Sequence, residues 1–336
     1  MLTMDLDLPM IWAVVLAIAV ALYVVMDGFD LGIGILFPFA ETERQRDQMM
    51  SSIAPFWDGN ETWLVLGGGG LLVAFPRAYS IIMPALYLPV IFMLLALVLR
   101  GVSFEFRNPH GNTTALWSVG FFVGSALAAF FQGIILGGFI QGLTVVNGEF
   151  AGGPFEWATP FAALCGLGVM AGYALLGATW LIMKTEGPVA ERAREQARGL
   201  LLLVMAFMAA VSLWTPLAFE RIATRWFSAP NIYVLWIVPV VTAGVALTVW
   251  RTTDRHDFVP FVGTIALFLL GFLGLAISTF PYAVPPVLTI WDAAAAPSSQ
   301  AFMLVGTVIL LPIILGYVAF VYWLFRGKVR EGDSYH

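Results

Sequence analysis

Four carboxylates stand in two close pairs, Asp27 with Asp30 and Asp58 with Glu61, each at one end of an apolar run. The first pair lies in Met26-Asp-Gly-Phe-Asp-Leu-Gly-Ile-Gly34. The second lies in Ser51-Ser-Ile-Ala-Pro-Phe-Trp-Asp-Gly-Asn-Glu-Thr-Trp-Leu-Val65. Members of a pair are three residues apart, so on a helix they share a face. Acids gathered at a membrane boundary mark a point where a charged species, most often a proton, can pass. Arg100, Glu105 and Arg107 follow a third apolar run and extend the charged group. The chemistry this offers is proton transfer and charge compensation.

Other chemistries lack their residues. The chain has no Cys/His cluster, no phosphate-binding glycine loop and no dinucleotide-binding glycine pattern. No metal site is expected, and no nucleic-acid partner. Of three histidines, His110 and His256 fall between apolar runs and His336 is the last residue. A membrane haem takes axial His or Met ligands. Without a histidine inside a span the chain is a poor haem ligand by itself, and its 13 methionines read as core filling. No catalytic group is therefore assigned to this chain directly.

The elements that must position these residues are membrane helices. Of 336 residues, 60% are hydrophobic and 11% charged, a composition foreign to soluble domains. The expected fold is all-α and polytopic: a single integral membrane domain over 1–336 with about nine spans. They cover about 9–36, 57–75, 79–99, 114–140, 158–183, 199–219, 232–250, 258–279 and 300–324, each long enough for roughly 30 Å of hydrocarbon. They group as two four-helix bundles plus one extra helix, with halves at about 1–183 and 184–336 and a basic 184–198 loop between them. The acidic N-terminus lacks the basic flank of a cleaved signal, and the run after it is too long for one.

Thirteen of the 16 basic residues fall on one side: Arg44, Arg46, Arg100, Arg107, Lys184, Arg192, Arg194, Arg198, Arg251, Arg255, Arg326, Lys328 and Arg330. Arg77, Arg221 and Arg225 fall on the other. This asymmetry puts the N-terminus outside and the C-terminus in the cytoplasm. From Pro9 to Met26 a helix rises about 27 Å, so Asp27 and Asp30 fall at the cytoplasmic end of span one. Asp58, Glu61, Arg100, Glu105 and Arg107 join them in one cytoplasmic cluster. The middle of every span is free of Asp, Glu, Lys and Arg, which argues against a self-contained pump.

Plainer roles compete for each residue. Asp27 and Asp30 suit headgroup water, and Asp58 and Glu61 suit the first turn of a helix. Arg100 suits snorkelling to lipid phosphate, and Trp57 and Trp63 suit an aromatic belt. The run Glu191–Arg198 reads as a solvated helix extension, and Cys165 as a packing residue. The pairs Gly28/Gly32, Gly120/Gly124, Gly133/Gly137, Gly138/Gly142 and Gly168/Gly172 suit close helix crossings. Gly67–Gly70 leaves a bare helix surface for something large or flat, or a flexible kink.

The Asp27-Gly-Phe-Asp30 segment, the Ser52-Ile-Ala-Pro-Phe-Trp-Asp-Gly-Asn60 run with Trp63, Tyr79–Arg100 leading to Phe104-Glu-Phe-Arg107, and Phe280-Pro281 with Leu288–Asp292 resemble subunit II of the cytochrome bd-type quinol oxidases. The resemblance covers essentially the whole chain. The wording of Val25–Phe39 is most similar to the cyanide-insensitive branch. The resemblance implies a heterodimer with a haem-bearing subunit I in the bacterial cytoplasmic (inner) membrane, accompanied in some members by a small single-span subunit. It implies haem b with haem d or a third haem b, all ligated by subunit I. Quinol is oxidised, dioxygen is reduced to water, and protons are taken up without pumping. It further implies a proton inlet with Asp58 at its mouth, supported by Asp27, Asp30 and Glu61. Arg100, with Trp57 and Asn60, falls at a haem-propionate contact or the subunit boundary, and Trp63 on an oxygen route from the lipid. Some members also bind a structural quinone. Glu61 departs from the family, where Gln is common, which leaves its part in the inlet open. A stand-alone secondary transporter and a purely structural assembly subunit are the alternative readings.

Overall fold

The computed structural model describes residues 6–108, 111–330 and 332. His110, His336 and the acidic Met1–Asp5 segment lie outside the described residues. The fold is all-α: α1 (Leu8–Leu36), α2 (Glu43–Ser51), α3 (Trp57–Ala74), α4 (Pro76–Phe106), α5 (Thr114–Gln141), α6 (Pro160–Lys184), α7 (Pro188–Ala218), α8 (Glu220–Phe227), α9 (Asn231–Leu235), α10 (Ile237–Thr252), α11 (Val259–Thr279), α12 (Ile290–Ala293) and α13 (Pro297–Leu324). Two small antiparallel ribbons, Val145–Val146 with Glu149–Phe150 and Tyr282–Val284 with Leu288–Thr289, fold the loops between helices.

Helix starts follow local chemistry. Asp7 caps α1 by accepting from the Met10 amide at 3.1 Å, with Pro9 in the first turn. Thr159 caps α6 the same way, ahead of Pro160. A side-chain oxygen satisfies an amide that has no partner within the helix, and proline there loses nothing. α4 carries Pro84 and Pro89 inside and bends at Leu86 (φ −116°, ψ 15°), because an internal proline removes a helical hydrogen bond.

Eight helical segments among the described residues are long and apolar enough to cross a membrane: 8–39, 76–106, 114–141, 160–184, 188–218, 231–252, 259–279 and 297–324. The remaining expected span corresponds to α3. Its first turns carry Asp58, Asn60 and Glu61, which dilute its apolar character. α4 runs to Phe106, past the expected end at 99. α7 starts at Pro188, so most of the expected 184–198 loop is helix, and Glu191–Arg198 is the helix extension read from its pattern.

Small residues set the closest crossings. A Cβ on Gly32 would lie 1.8 Å from the Tyr173 carbonyl oxygen, and one on Gly177 2.5 Å from the Gly32 carbonyl carbon, so α1 and α6 touch backbone to backbone. A Cβ on Gly124 would lie 2.7 Å from the Arg100 amide nitrogen, and one on Gly133 2.5 Å from the Cys165 carbonyl oxygen. α5 thereby packs on α4 and on α6. Gly68 and Gly69 face open space instead, while Gly70 abuts Leu16. One core crosses both halves: Phe29 of α1 stacks on Trp180 of α6 at 4.0 Å, and Phe261 of α11 packs edge-on to both. Gly32→Ala is expected to lower the stability of the protein by about 1–3 kcal/mol, the usual cost of overpacking. Thermal inactivation of the purified protein checks this, and an unchanged midpoint would show that the crossing relaxes.

Candidate functional site: a buried carboxylate and arginine cluster

α1, α3 and α4 bring the two acid pairs and Arg100 together. The centre of the cluster is buried within the protein. Asp27, Asp30 and Arg100 are 1%, 0% and 0% exposed. α1 continues to Leu36, well past Asp27, so neither aspartate ends the helix. The headgroup-water role for Asp27 and Asp30, and phosphate snorkelling for Arg100, are therefore set aside.

The Arg100 Nη1 donates to Asp27 Oδ1 at 2.7 Å and to Glu61 Oε1 at 2.9 Å. The Trp57 ring covers the guanidinium, whose carbon lies 5.4 Å from the ring centroid. The Arg100 side chain is 1% exposed. Its counter-charges are Asp27 and Glu61 of its own chain. Asp30 has a different partner: Asn60 Nδ2 donates to Asp30 Oδ2 at 2.7 Å and to the Met26 carbonyl at 3.2 Å. Asp27 Oδ2, Asp30 Oδ1, Arg100 Nε and Arg100 Nη2 are buried with unused hydrogen-bonding capacity.

The remaining expected residues take distinct places. Glu61 is partly buried, and Asp58, one turn earlier on α3, is exposed at the outer edge of the cluster. Trp63 is buried and its Nε1 has no partner among the described residues. Glu105 is exposed. Arg107 does not join Arg100: it donates to Glu43 Oε2 at 2.5 Å, Asp47 Oδ1 at 2.6 Å and Ser118 Oγ at 3.0 Å. The single expected cluster is thus two, because α4 makes two further turns between the arginines and turns Arg107 toward α2. Arg107→Met takes the shared cation from Glu43 and Asp47 and leaves Glu43 with Arg46 alone. It is expected to loosen α2 while Arg100 and its partners stay in place, which hydrogen exchange of the 43–51 amides would report.

Two polar branches lie beyond the expected residues. Tyr322, in the last turn of α13, donates to Asn60 Oδ1 at 2.9 Å. Tyr173 donates to Gln132 Oε1 at 2.6 Å, and Gln132 Nε2 donates to the Tyr23 oxygen at 2.7 Å. Tyr23 precedes Asp27 by four residues on the same helix face, a signal legible in the spacing. Nothing in the spacing links 322 to 60.

The family model for cytochrome bd terminal oxidase subunit II matches residues 8–325. Cytochrome bd-I ubiquinol oxidase subunit 2 of Escherichia coli (strain K12) is 30% identical, with 97% of this chain and 96% of that protein covered. Cytochrome bd ubiquinol oxidase subunit 2 of Bacillus subtilis is 26% identical, with 96% and 97% covered. Among solved structures, the bd oxidase from Geobacillus thermodenitrificans has a chain of the same fold, with a TM-score of 0.80 at 17% identity, covering 95% of this chain and 99% of that one.

Proposed function

The chain belongs to the cytochrome bd terminal oxidase subunit II family, and from that membership we propose that it carries the proton inlet of a quinol:oxygen oxidoreductase. It is an integral membrane subunit of a bd-type oxidase complex, which contains haem, acts on quinol and includes a subunit I. Membership displaces the stand-alone transporter reading.

The finer assignments are ours. Subunit I holds the haems, b with d or a third b. Among the described residues of this chain the histidine, His256, lies in the loop between α10 and α11, which supports haem ligation by subunit I. Haem supplies the electron transfer and oxygen chemistry, and this chain handles protons and charge. Quinol is oxidised, dioxygen becomes water, and no proton is pumped. The N-terminus faces outside and the C-terminus the cytoplasm of the bacterial inner membrane, as the distribution of Lys and Arg supports. A small single-span subunit, lipids and a structural quinone complete the expected partners.

The observation that carries this reading is the charge inventory of the buried cluster. Three carboxyl groups, Asp27, Asp30 and Glu61, gather around one guanidinium. Among the described residues Asp30 has only a neutral amide as hydrogen-bond donor, so its protonated form needs no counter-charge and it serves as a proton store. A proton reaching Asp58 at the surface passes to Glu61, half-buried beside Arg100, and on to Asp27. Asp30, Asn60 and Tyr322 form a second arm. Trp63, buried on the same helix, lines the oxygen route.

Asp58→Asn in the purified complex is expected to slow quinol-dependent oxygen uptake several-fold with the haem spectrum intact. Unchanged turnover would remove Asp58 from the inlet. A fall in complex abundance with normal turnover per haem would instead support a purely structural subunit.

A further inference from the structure

Among the described residues after α13, the chain turns back onto the protein. Phe325–Arg330 lies as a strap across the ends of α2 and α6. Lys184, the last residue of α6, is 5% exposed, and no carboxylate pairs with it among the described residues. Its Nζ donates instead to the carbonyls of Phe325 and Gly327, the latter at 2.7 Å. It also lies 5.7 Å from the ring centroids of both Phe56 and Trp180. Gln48 of α2, 2% exposed, donates to the carbonyls of Val329 at 2.9 Å and Glu186 at 3.1 Å. The Val329 amide donates back to the Lys184 carbonyl at 2.7 Å. Lys328 donates to Asp257 Oδ2 at 2.7 Å. That bond, joined by one from Arg194, holds the Asp257 carboxyl below the usual carboxylate range, so this anchor persists through neutral pH.

The last carbonyls of a helix have no partner within it, and a cation there complements the helix dipole. Lys184 therefore places its charge at the C-terminal end of α13, bonding the C-cap residue Phe325 and Gly327 just beyond it, with aromatic faces completing its surroundings. No residue of the apolar window of α13 is buried. Polar contacts hold its two ends: Gln300 donates to the Ala74 carbonyl at 3.0 Å at one, and Tyr322 donates to Asn60 at the other, beside the strap. Tyr322 sits one turn before Phe325, with its ring stacked on Phe56 at 4.5 Å and its hydroxyl on Asn60. Phe56 thus lies against both the Lys184 ammonium and the tyrosine.

We propose that Lys184 and Gln48 are positioning residues: by latching the strap they set the register of α13, so that the Tyr322 hydroxyl reaches Asn60 and the Asp30 arm of the cluster. This rests on the proton-inlet reading above.

The test is a pair of mutant cycles in the purified complex, reading quinol-dependent oxygen uptake per haem and hydrogen exchange of the 325–330 amides. Lys184→Met, Gln48→Leu and Tyr322→Phe are each expected to lower turnover several-fold. Lys184→Met or Gln48→Leu added to Tyr322→Phe is expected to lower it no further. Exchange of the strap amides rises in both latch variants and stays unchanged in Tyr322→Phe. Additive losses, or a loosened strap with normal turnover, would overturn the positioning role and leave the inlet reading standing. A silent Tyr322→Phe would do the same. Silent Asp27→Asn and Asp30→Asn would instead bring down the inlet reading, and this proposal with it. Should Lys184→Met fail to assemble, Gln48→Leu carries the same comparison.

Discussion

Arg100→Met is expected to prevent accumulation of a stable complex, and adding Asp27→Asn is expected to restore most of it. Arg100 and Asp27 pair at 2.7 Å, and each side chain is 1% exposed. Removing one partner of a buried pair costs about 3–5 kcal/mol, because the remaining charge has neither water nor counter-charge. That is a large share of the roughly 5–15 kcal/mol that holds a domain folded. In the double variant the fully buried pair is gone, and Glu61, which loses its bond to Arg100, keeps 28% of its side chain exposed to solvent. Methionine fills much of the arginine's volume under Trp57, and an amide replaces a carboxylate of the same shape. Thermal loss of haem absorbance from the purified complex measures the effect. A single variant as stable as the parent would mean that the pair contributes nothing to stability. A double variant no better than the single would mean that Arg100 acts through Glu61 or through packing on Trp57.

Asp30→Asn is expected to do the opposite: keep the complex and lose the turnover. The amide reproduces the carboxylate's shape and keeps an acceptor for the 2.7 Å bond from Asn60. No cation donates to Asp30 among the described residues, so none is stranded. What asparagine cannot do is take up and release a proton. Removing a positioned acid–base group typically costs about 10²-fold or more in rate, and a loss of that order in quinol-dependent oxygen uptake per haem is the expected result. A solvent isotope effect larger than the parent's would accompany it, because proton delivery becomes the slow step. Parent-like turnover would reduce Asp30 to a packing residue. The contrast with Arg100 is the diagnostic part: one variant is read in stability, the other in rate.

Some of this site is legible in residue spacing alone. Three-residue spacing puts the members of each acid pair on one helix face, and Asp27 and Asp30 do both turn inward. Tyr23 is equally legible, four residues ahead of Asp27, but a tyrosine in an apolar run reads as core. Lys184 counts among the basic residues that orient the chain, which says nothing about its being buried. The length of the first span is legible too: the segment after Asp30 is itself apolar and helical, and α1 ends at Leu36, where the expected span ends.

The sequence by itself determined that the chain is a bundle of membrane helices, where most of them run, and that its acids gather near one end of the first two. Those properties are local, set by runs of apolar residues and by the helical repeat. Only the tertiary structure decided which arginine meets which acid. Arg100 reaches Asp27 across 73 residues and Arg107 reaches Glu43 across 64, although both arginines follow the same apolar run. It also decided that Tyr322 closes on Asn60 across 262 residues. These pairings follow from how closely and at what register the backbones cross, at Gly32 against Gly177 and at Gly124 against Arg100. A crossing is a property of two helices at once, so neither segment encodes it alone.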